Sequence, residues 1–342
     1  MENDKISIIV PVYNGESHIG SCLDSILKQK GNFELIIVND GSTDSTLAVL
    51  EDKALNHLNF KIVNIEKNLG VSNARNIGLE NATGNYIMFC DADDKYSDNT
   101  ITSICRTIDT YHPDYIIFKR KDILETKETI AVYGNHNSVL ELNLNNEKYI
   151  TNYFAKGVHT FSVCNKAYRK ELIYNNSIQF HPEIPLSEDT LFNLEYLIHA
   201  KSFVEDYSIS YLRTCRNGST IYKPIENFYF KNIEIVKLFH NKLIKSTVSE
   251  DFIDIFEKEL YYHYGKVSLF RLFDNIDGTG FLDRVKKVSE ILNDFRFKEG
   301  FGIQKKPEIL REKLLCKLIK YKLSVLSYLL FGPAARFKRK IK

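Results

Sequence analysis

The stretch Tyr86–Asp94, YIMFCDADD, determines how this 342-residue sequence is best interpreted. It joins a largely apolar run of five residues to a turn that contains three aspartates. Such a run predicts a strand that is buried on both faces of a parallel sheet. Because side chains alternate along a strand, Asp91 and Asp93 can lie on the same side where this strand ends.

Strand and helix patterns alternate on the N-terminal side of this stretch. The predicted strands are Lys5–Val10, Phe33–Val38 and Phe60–Ile65, and the predicted helices lie near Ile19–Leu27, Ser45–Leu55 and Val71–Ala82. This alternation predicts right-handed βαβ units and a mostly parallel sheet that is flanked by helices, which is an α/β fold.

Polar loops follow three of the predicted strands. They are Pro11–Gly15, Asn39–Asp44 and Asp91–Asp94. In an open α/β sheet, ligands bind beyond the carboxyl ends of the strands. We therefore expect these three loops to converge on one crevice.

The rest of the sequence adds a second region. The later predicted elements are helix Asn99–Tyr111, strand Tyr115–Phe118, an extension at Phe161–Cys164, helices Lys170–Asn175 and Asp189–His199, and a strand or strand pair at Val204–Leu212. Residues 119–146 give no clear pattern, and three helical segments follow at Phe228–Ile244, Phe252–Phe273 and Leu282–Phe297. We predict an α/β domain at 1–224, a helical region at 225–310 and a basic tail at 311–342.

The composition is that of an ordinary globular protein, with 44% hydrophobic and 26% charged residues. A net charge of +2 gives no overall reason to expect a nucleic-acid partner. The six scattered cysteines form no C-x-x-C pair, which favours buried thiols in a reducing compartment. Neither a signal peptide nor an uncharged stretch of 18 residues is recognisable, so we expect a cytoplasmic or peripheral membrane protein.

The positive charge is concentrated in the tail. Residues 311–342 contain ten lysines and arginines and one acidic residue, which gives this segment a net charge of +9. Since the whole chain has a net charge of +2, the other 310 residues carry a net charge of −7. Leucines at helical spacing between these basic residues predict an interfacial helix that binds the anionic inner face of the plasma membrane. The alternative is a helix that packs on the body of the protein and ends in a disordered basic segment.

The aspartate pair carries the strongest chemical signal. Asp91 and Asp93 provide hard oxygen ligands that suit Mg²⁺ or Mn²⁺, and such an ion could bridge a diphosphate. An isolated Asp-x-Asp is also common in solvated acidic turns. Its position after a buried strand, at the expected crevice, favours the metal site.

Three other segments are candidates for the same crevice, and each has a structural alternative. Asn39–Asp44 suits a strand-to-helix turn, although Asp40 could also accept a hydrogen bond from a nucleobase. Arg75 lies one turn into a predicted helix, where it could bind phosphate or remain a surface residue. Ser187–Asp189 suits an acidic helix N-terminus, but transfer to a hydroxyl also requires a carboxylate base.

Together these segments resemble the family 2 glycosyltransferases of the GT-A fold, of the type that builds bacterial surface polysaccharides. The similar stretches are ISIIVPVYNGESHIGSCLDSIL (6–27), FELIIVNDGSTDST (33–46), NLGVSNARNIGLENATGNYIMFCDADD (68–94), VCNKAYRKELI (163–173), LSEDTLFNLEYL (186–197) and, more weakly, YLRTCRNGST (211–220). The resemblance does not cover the helical region after about Ile225.

The resemblance implies an inverting, metal-dependent transfer of a hexosyl or N-acetylhexosaminyl group. The donor would be a UDP-sugar, the cation Mn²⁺ or Mg²⁺, and the acceptor a saccharide or a lipid-linked molecule. The implied roles are a nucleobase pocket at Pro11, Val12 and Tyr13, a uracil contact at Asp40, a contact near the nucleotide at Arg75, metal and diphosphate binding at Asp91 and Asp93, the catalytic base at Asp189, and a closing loop at Arg216 and Ser219. Asn39 departs from the family, since many members carry aspartate there.

The motifs also bear on two other classes of protein. A sugar nucleotidyltransferase would carry a glycine-rich basic loop after its first strand, but Pro11–Glu16 contains no lysine or arginine. A non-catalytic nucleotide-sugar-binding protein on a degenerate transferase fold would not be expected to retain Asp91, Asp93 and Asp189 together.

Overall fold

The computed structural model describes residues 4–55, 57–124, 128–133, 139–142, 147, 150, 161–184, 187–215, 225–246, 248–273, 278 and 280–302. These residues belong to two compact units. The first unit contains the described residues of 1–150 and 158–216, and the second contains those of 217–342.

The first unit is built from ten strands and six helices of the described chain. The strands are β1 (Ile6–Val12), β2 (Phe33–Asp40), β3 (Phe60–Ile65), β4 (Tyr86–Phe89), β5 (Lys95–Tyr96), β6 (Tyr115–Leu124), β7 (Thr129–Tyr133), β8 (Val139–Leu142), β9 (Lys166–Arg169) and β10 (Phe203–Cys215). The helices are α1 (Ile19–Leu27), α2 (Thr46–Ala54), α3 (Val71–Asn81), α4 (Thr100–Tyr111), α5 (Lys170–Asn175) and α6 (Glu188–Leu197).

All ten strands belong to one sheet. Its main order is β3-β2-β1-β4-β9-β6-β10-β5, with β7 paired to β6 and β8 paired to β10. The first four strands are parallel, so their carboxyl ends share one edge, as the sequence predicts. β9 lies antiparallel between β4 and β6, while β6 and β10 are parallel to each other. The α/β fold class with a helical C-terminal region is confirmed.

Close packing of α3 on the sheet positions the residues that follow β4. Every residue of β1 and β4 is buried, as expected for strands covered on both faces. Gly78 of α3 faces Ile9 so closely that an added Cβ would lie 2.3 Å from its Cγ2 atom. Only a glycine allows the helix to approach β1 to this distance.

The structure contains β5, β7 and β8, none of which was predicted, and it also differs from the sequence-based expectations at β6 and β9. β6 extends to Leu124, six residues beyond the predicted strand, because β10 pairs with it over this length. β9 was not predicted, since the short sequence KAYR has no apolar run and becomes a strand through pairing with β4 and β6.

The second unit is helical. Its helices are α7 (Phe228–Leu243), α8 (Glu250–Phe273), α9 (Phe281–Asn293) and α10 (Phe295–Gly302). The single predicted segment Leu282–Phe297 is divided at Asp294, whose extended backbone ends α9 and whose carboxylate accepts the Arg296 N–H at 2.9 Å. Among the described residues, no helix has the length and apolarity needed to cross a bilayer. The three predicted domain limits stay a prediction, and the tail at 311–342 lies outside the described residues.

A partly buried group of charged and polar side chains joins the amino-terminal ends of β1 and β2. The Glu34 carboxylate accepts hydrogen bonds from Ser7 Oγ at 2.6 Å, Lys5 Nζ at 2.9 Å and the Thr83 N–H at 2.7 Å. Burial alone would raise the pKa of Glu34, but these hydrogen bonds lower it from 4.5 to about 2. The ionised form is therefore the one that the fold stabilises.

We expect Glu34→Gln to lower the melting temperature at pH 7, with a loss of about 1–3 kcal/mol in unfolding free energy. Because the folded pKa lies below the unfolded one, this contribution is present above pH 4.5 and is lost as the pH falls towards 2. Thermal unfolding at pH 7 and pH 3 measures the difference. The exposed control Glu66→Gln should change little at either pH; an equal loss for Glu34→Gln at both pH values would contradict the argument.

Candidate active site

The first two polar loops meet at the carboxyl edge of the sheet. Val12 at the end of β1 pairs with Asn39 of β2. Beyond the strands, the Asn14 N–H donates to Ser42 Oγ at 2.9 Å, and the Thr43 N–H donates to Asn14 Oδ1 at 2.8 Å. The two loops therefore form one connected rim, as the sequence predicts.

The residues predicted to line a nucleobase pocket belong to this rim. Pro11 and Val12 are buried in β1, whereas half of the Tyr13 side chain is exposed. Tyr13 is therefore the member of this group that offers a large free aromatic surface. The nucleobase contact itself stays a prediction.

Asp40 connects the rim to the start of α3. Its two carboxylate oxygens accept hydrogen bonds from the Leu69 N–H at 2.7 Å and the Gly70 N–H at 2.9 Å. Gly41 has a φ of +67°, and an added Cβ there would lie 2.5 Å from the Asn68 nitrogen. Asp40 thus holds the loop that begins α3, a role that the sequence did not indicate; its predicted uracil contact stays a prediction.

Arg75 brings residues from distant parts of the chain together. Its buried guanidinium donates to Asp189 Oδ1 at 2.7 Å, to Asp91 Oδ1 at 3.0 Å and to Glu188 Oε1 at 3.4 Å. It also lies over the ring of Phe180, with 5.2 Å from Cζ to the ring centre. The structure therefore places Asp189 and Asp91 at a single site, with Arg75 between them.

The acidic groups around Arg75 repel one another. Burial, together with repulsion from Asp189 and Asp93, raises the pKa of Asp91 despite the opposing effect of Arg75. Burial and repulsion from Asp189 raise the pKa of Glu188 from 4.5 to about 7. Burial would lower the pKa of Arg75, but the neighbouring carboxylates raise it well above its ordinary value. The site therefore holds more negative charge than one guanidinium balances.

This charge excess fits a divalent cation. Within the described residues, no group of three or more His, Cys, Asp or Glu side chains is arranged to hold a metal ion. Asp91 and Asp93 supply only part of a coordination shell, which phosphate oxygens could complete. The hard oxygen donors and the raised pKa of Asp91 are compatible with Mg²⁺ or Mn²⁺.

The third aspartate of the DADD turn has a different environment. Asp94 is buried and accepts hydrogen bonds from Tyr211 Oη at 2.6 Å and from the Thr214 N–H at 2.7 Å. Tyr211 Oη in turn accepts the Asp91 N–H at 3.2 Å. Asp94 therefore fixes the turn against β10, which the sequence could not indicate because the partners lie 117 and 120 positions away.

Two candidate residues cannot be placed. Arg216 and Ser219, predicted to form a loop over the diphosphate, lie outside the described residues. Conversely, sequence reasoning treated Glu188 only as part of a helix N-terminus, whereas its carboxylate faces Arg75. In the sequence, only its position next to Asp189 indicated that Glu188 could belong to the site.

A mixed α/β sheet whose acidic turn faces a distant carboxylate across a buried arginine is typical of the GT-A class of glycosyltransferases. The chain belongs to glycosyl transferase family 2, whose sequence model matches residues 7–176. It is also 30% identical to EpsH of Bacillus subtilis, over 72% of this chain and 67% of EpsH. The family expected from the sequence is confirmed.

Two further comparisons concern one Staphylococcus aureus protein, the poly(ribitol-phosphate) beta-N-acetylglucosaminyltransferase TarS. The chain is 32% identical to TarS over 72% of its own length and 42% of that of TarS, so it spans less than half of this relative. The crystal structure of TarS 1-349 in complex with UDP-GlcNAc matches with a TM-score of 0.67 at 25% identity. That match covers 98% of this chain and 92% of the TarS fragment, which supports the fold assignment.

We expect Glu188→Gln to stabilise the chain at pH 8 by about 3 kcal/mol, because the shift of the pKa from 4.5 to about 7 makes the ionised form unfavourable in the fold. This cost is absent below pH 4.5, develops as the pH rises and is complete above pH 7. Urea unfolding at pH 4 and pH 8 measures it, with exposed Glu171→Gln as control. The same stabilisation at both pH values would show that charge is not the cause.

Proposed function

We propose that this chain transfers a hexosyl or N-acetylhexosaminyl group from a UDP-sugar to a hydroxyl group, with inversion at the anomeric carbon. The observation that carries the proposal is the direct bridge from Arg75 to Asp91 and Asp189 in a family 2 fold. The acceptor would be a saccharide or a lipid-linked molecule in cell-surface polysaccharide or glycolipid synthesis. The names of two relatives, TarS and the poly(ribitol-phosphate) beta-glucosyltransferase of Bacillus spizizenii, support this substrate class.

The donor would bind along the rim formed by the loops after β1 and β2. The exposed ring of Tyr13 can pack on a nucleobase, with Pro11 and Val12 beneath it. Asp40 would accept the uracil N–H, and Arg216 would approach the diphosphate. The UDP-GlcNAc bound in the TarS structure, which matches nearly the whole fragment, supports a UDP-linked donor.

Asp91 and Asp93 would hold Mn²⁺ or Mg²⁺ together with oxygens of the diphosphate. When bound, the cation supplies positive charge that stabilises the departing UDP. Arg75 already occupies one oxygen of Asp91 at 3.0 Å, so it also orients this carboxylate. The three carboxylates that surround the single Arg75 guanidinium support the assignment of a cation to this site.

Asp189 is the proposed general base. Its carboxylate takes the proton of the acceptor hydroxyl, whose oxygen attacks the anomeric carbon as the bond to the UDP oxygen breaks. Attack from the face opposite UDP converts an α-linked donor into a β-linked product. About 20% of the Asp189 side chain is exposed, so an acceptor can reach it. The word beta in the names of both relatives is compatible with inversion.

The alternative is a non-catalytic nucleotide-sugar-binding protein on a degenerate fold. Such a protein has no need for a repulsive group of carboxylates around Arg75, two of which have raised pKa values. A cytoplasmic location, with the basic tail on an anionic membrane surface, completes the proposal; the tail lies outside the described residues.

We expect the purified chain to release UDP from UDP-GlcNAc or UDP-glucose when poly(ribitol phosphate) or a membrane extract is the acceptor. Chelation by EDTA should lower this release by at least about tenfold, because unneutralised diphosphate is a poor leaving group, and Mn²⁺ should restore it. Mass spectrometry identifies the product, and NMR of its anomeric proton gives the configuration. An α-linked product would rule out the single displacement, and undiminished transfer in EDTA would rule out the metal.

We expect Asp189→Asn to keep the affinity for UDP within about threefold and to lower transfer by about 10²–10⁴-fold, the usual contribution of a general base. Calorimetry measures UDP binding, and the release assay measures transfer. Asp109→Asn makes the same chemical change at an exposed position of helix α4 and should leave both values unchanged. Transfer by Asp189→Asn at the rate of the original chain would refute the base assignment.

A further inference from the structure

The two carboxylate oxygens of Asp189 are held by different parts of the first unit. Arg75 donates to Oδ1 at 2.7 Å, and the backbone N–H of Val163 donates to Oδ2 at 3.2 Å. Val163 lies in the segment 161–165, which precedes β9 and is neither helix nor strand. The orientation of the carboxylate therefore depends on what keeps this irregular segment in place.

Lys166 closes the segment from inside the protein. Its side chain is completely buried, and Nζ donates to the carbonyl of Ser162 and, at 2.9 Å, to Asn165 Oδ1. Asn165 is anchored in turn, because its Nδ2 donates to the Phe118 carbonyl on β6 at 2.8 Å. Burial, assisted by Arg120, lowers the pKa of Lys166 from 10.5 to about 7. A buried amine is costly, and these hydrogen bonds offset part of that cost while they hold the segment.

Asn193 fastens the same segment to α6. It is completely buried and lies one helical turn after Asp189. Its Nδ2 donates to the carbonyls of Asp189 and Phe161, both at 2.8 Å, while Oδ1 accepts from Tyr168 Oη at 2.7 Å. The Asn193 amide group is thus hydrogen-bonded to Asp189, to the segment 161–165 and to β9.

We propose that Lys166 and Asn193 are positioning residues that keep the Val163 N–H on Oδ2 of Asp189. This inference rests on the proposed function, in which Asp189 is the base. A carboxylate held at both oxygens meets the acceptor hydroxyl in one orientation, and small misplacements of reacting groups reduce rates strongly. The hydrogen bonds described for the two residues go to the segment 161–165, to α6 and to β9 rather than to the rim proposed for the donor, so we expect them to affect turnover more than donor binding.

Residues 163–170 contain most of the groups that hold Asp189 in this way, although their sequence indicated only a similarity to the family. VCNKAYRK, residues 163–170, contains the Val163 N–H donor, the anchor Asn165, the clamp Lys166 and the Asn193 partner Tyr168. All four residues are buried, and the three polar side chains among them are hydrogen-bonded.

The test compares Lys166→Met, which keeps the side-chain length and removes the donor, with Lys170→Met. Lys170 also donates to a backbone carbonyl, but that carbonyl belongs to Ala82, at 2.8 Å, and lies outside the segment 161–165. The probe is the UDP-sugar that gives most UDP release with the unmodified chain, beginning with UDP-GlcNAc. We expect Lys166→Met to lower kcat by about 10–100-fold, with KM for the donor and Kd for UDP within about threefold. Lys170→Met should keep kcat within about twofold.

Tyr168→Phe keeps the ring and removes only the hydroxyl that orients Asn193, so it serves if Lys166→Met shows no cooperative thermal unfolding. We expect it to lower kcat by about 3–10-fold at unchanged KM. If the folded variant that is tested keeps kcat within twofold, or loses donor affinity as much as turnover, the positioning role is wrong. The proposed function survives that result as long as Asp189→Asn remains inactive; an active Asp189→Asn would instead refute the function itself.

Discussion

The rest of the site depends on one buried guanidinium, that of Arg75, which holds the acidic side chains together. Arg75 is held in α3, whose approach to β1 depends on Gly78, and it reaches Asp91 after β4 and Asp189 on α6. Without this cation, the carboxylates would face one another across a partly buried gap, which is strongly unfavourable. The same positive charge also fixes one oxygen of each aspartate, so folding and chemistry depend on the same contact.

The irregular half of the sheet serves this contact. β9 is inserted antiparallel between β4 and β6, and the segment before it reaches the carboxyl edge, where Val163 meets Asp189. Lys166 and Asn193 satisfy the backbone carbonyls of that segment in place of regular pairing. Buried irregular backbone needs such partners, since unpaired carbonyl groups are costly. Polar residues inside this core are therefore part of the support for the site.

Asp91 and Asp94 of the DADD turn have different roles because their side chains lie in different environments. Asp91 faces Arg75, while Asp94 is buried and bonded to Tyr211 and Thr214 of β10. Because Tyr211 also accepts the Asp91 N–H, the turn is fixed from inside while one carboxylate remains available outside. Both carboxylate oxygens of Asp94 accept hydrogen bonds from β10, so its role is structural; burial raises its pKa well above the ordinary value.

The sequence alone determined the parallel part of the sheet, its helices and the family, because apolar periodicity and loop chemistry are local properties. It also marked Asp91 and Asp189 as candidates, although only family resemblance connected them. The tertiary structure decided what no local pattern contains: that Arg75 bridges Asp91 and Asp189, the latter from 114 positions away, that KAYR pairs as β9, and that Asp40 holds the start of α3. Those outcomes depend on contacts between distant segments, whose energies exceed the weak local preferences of the residues involved.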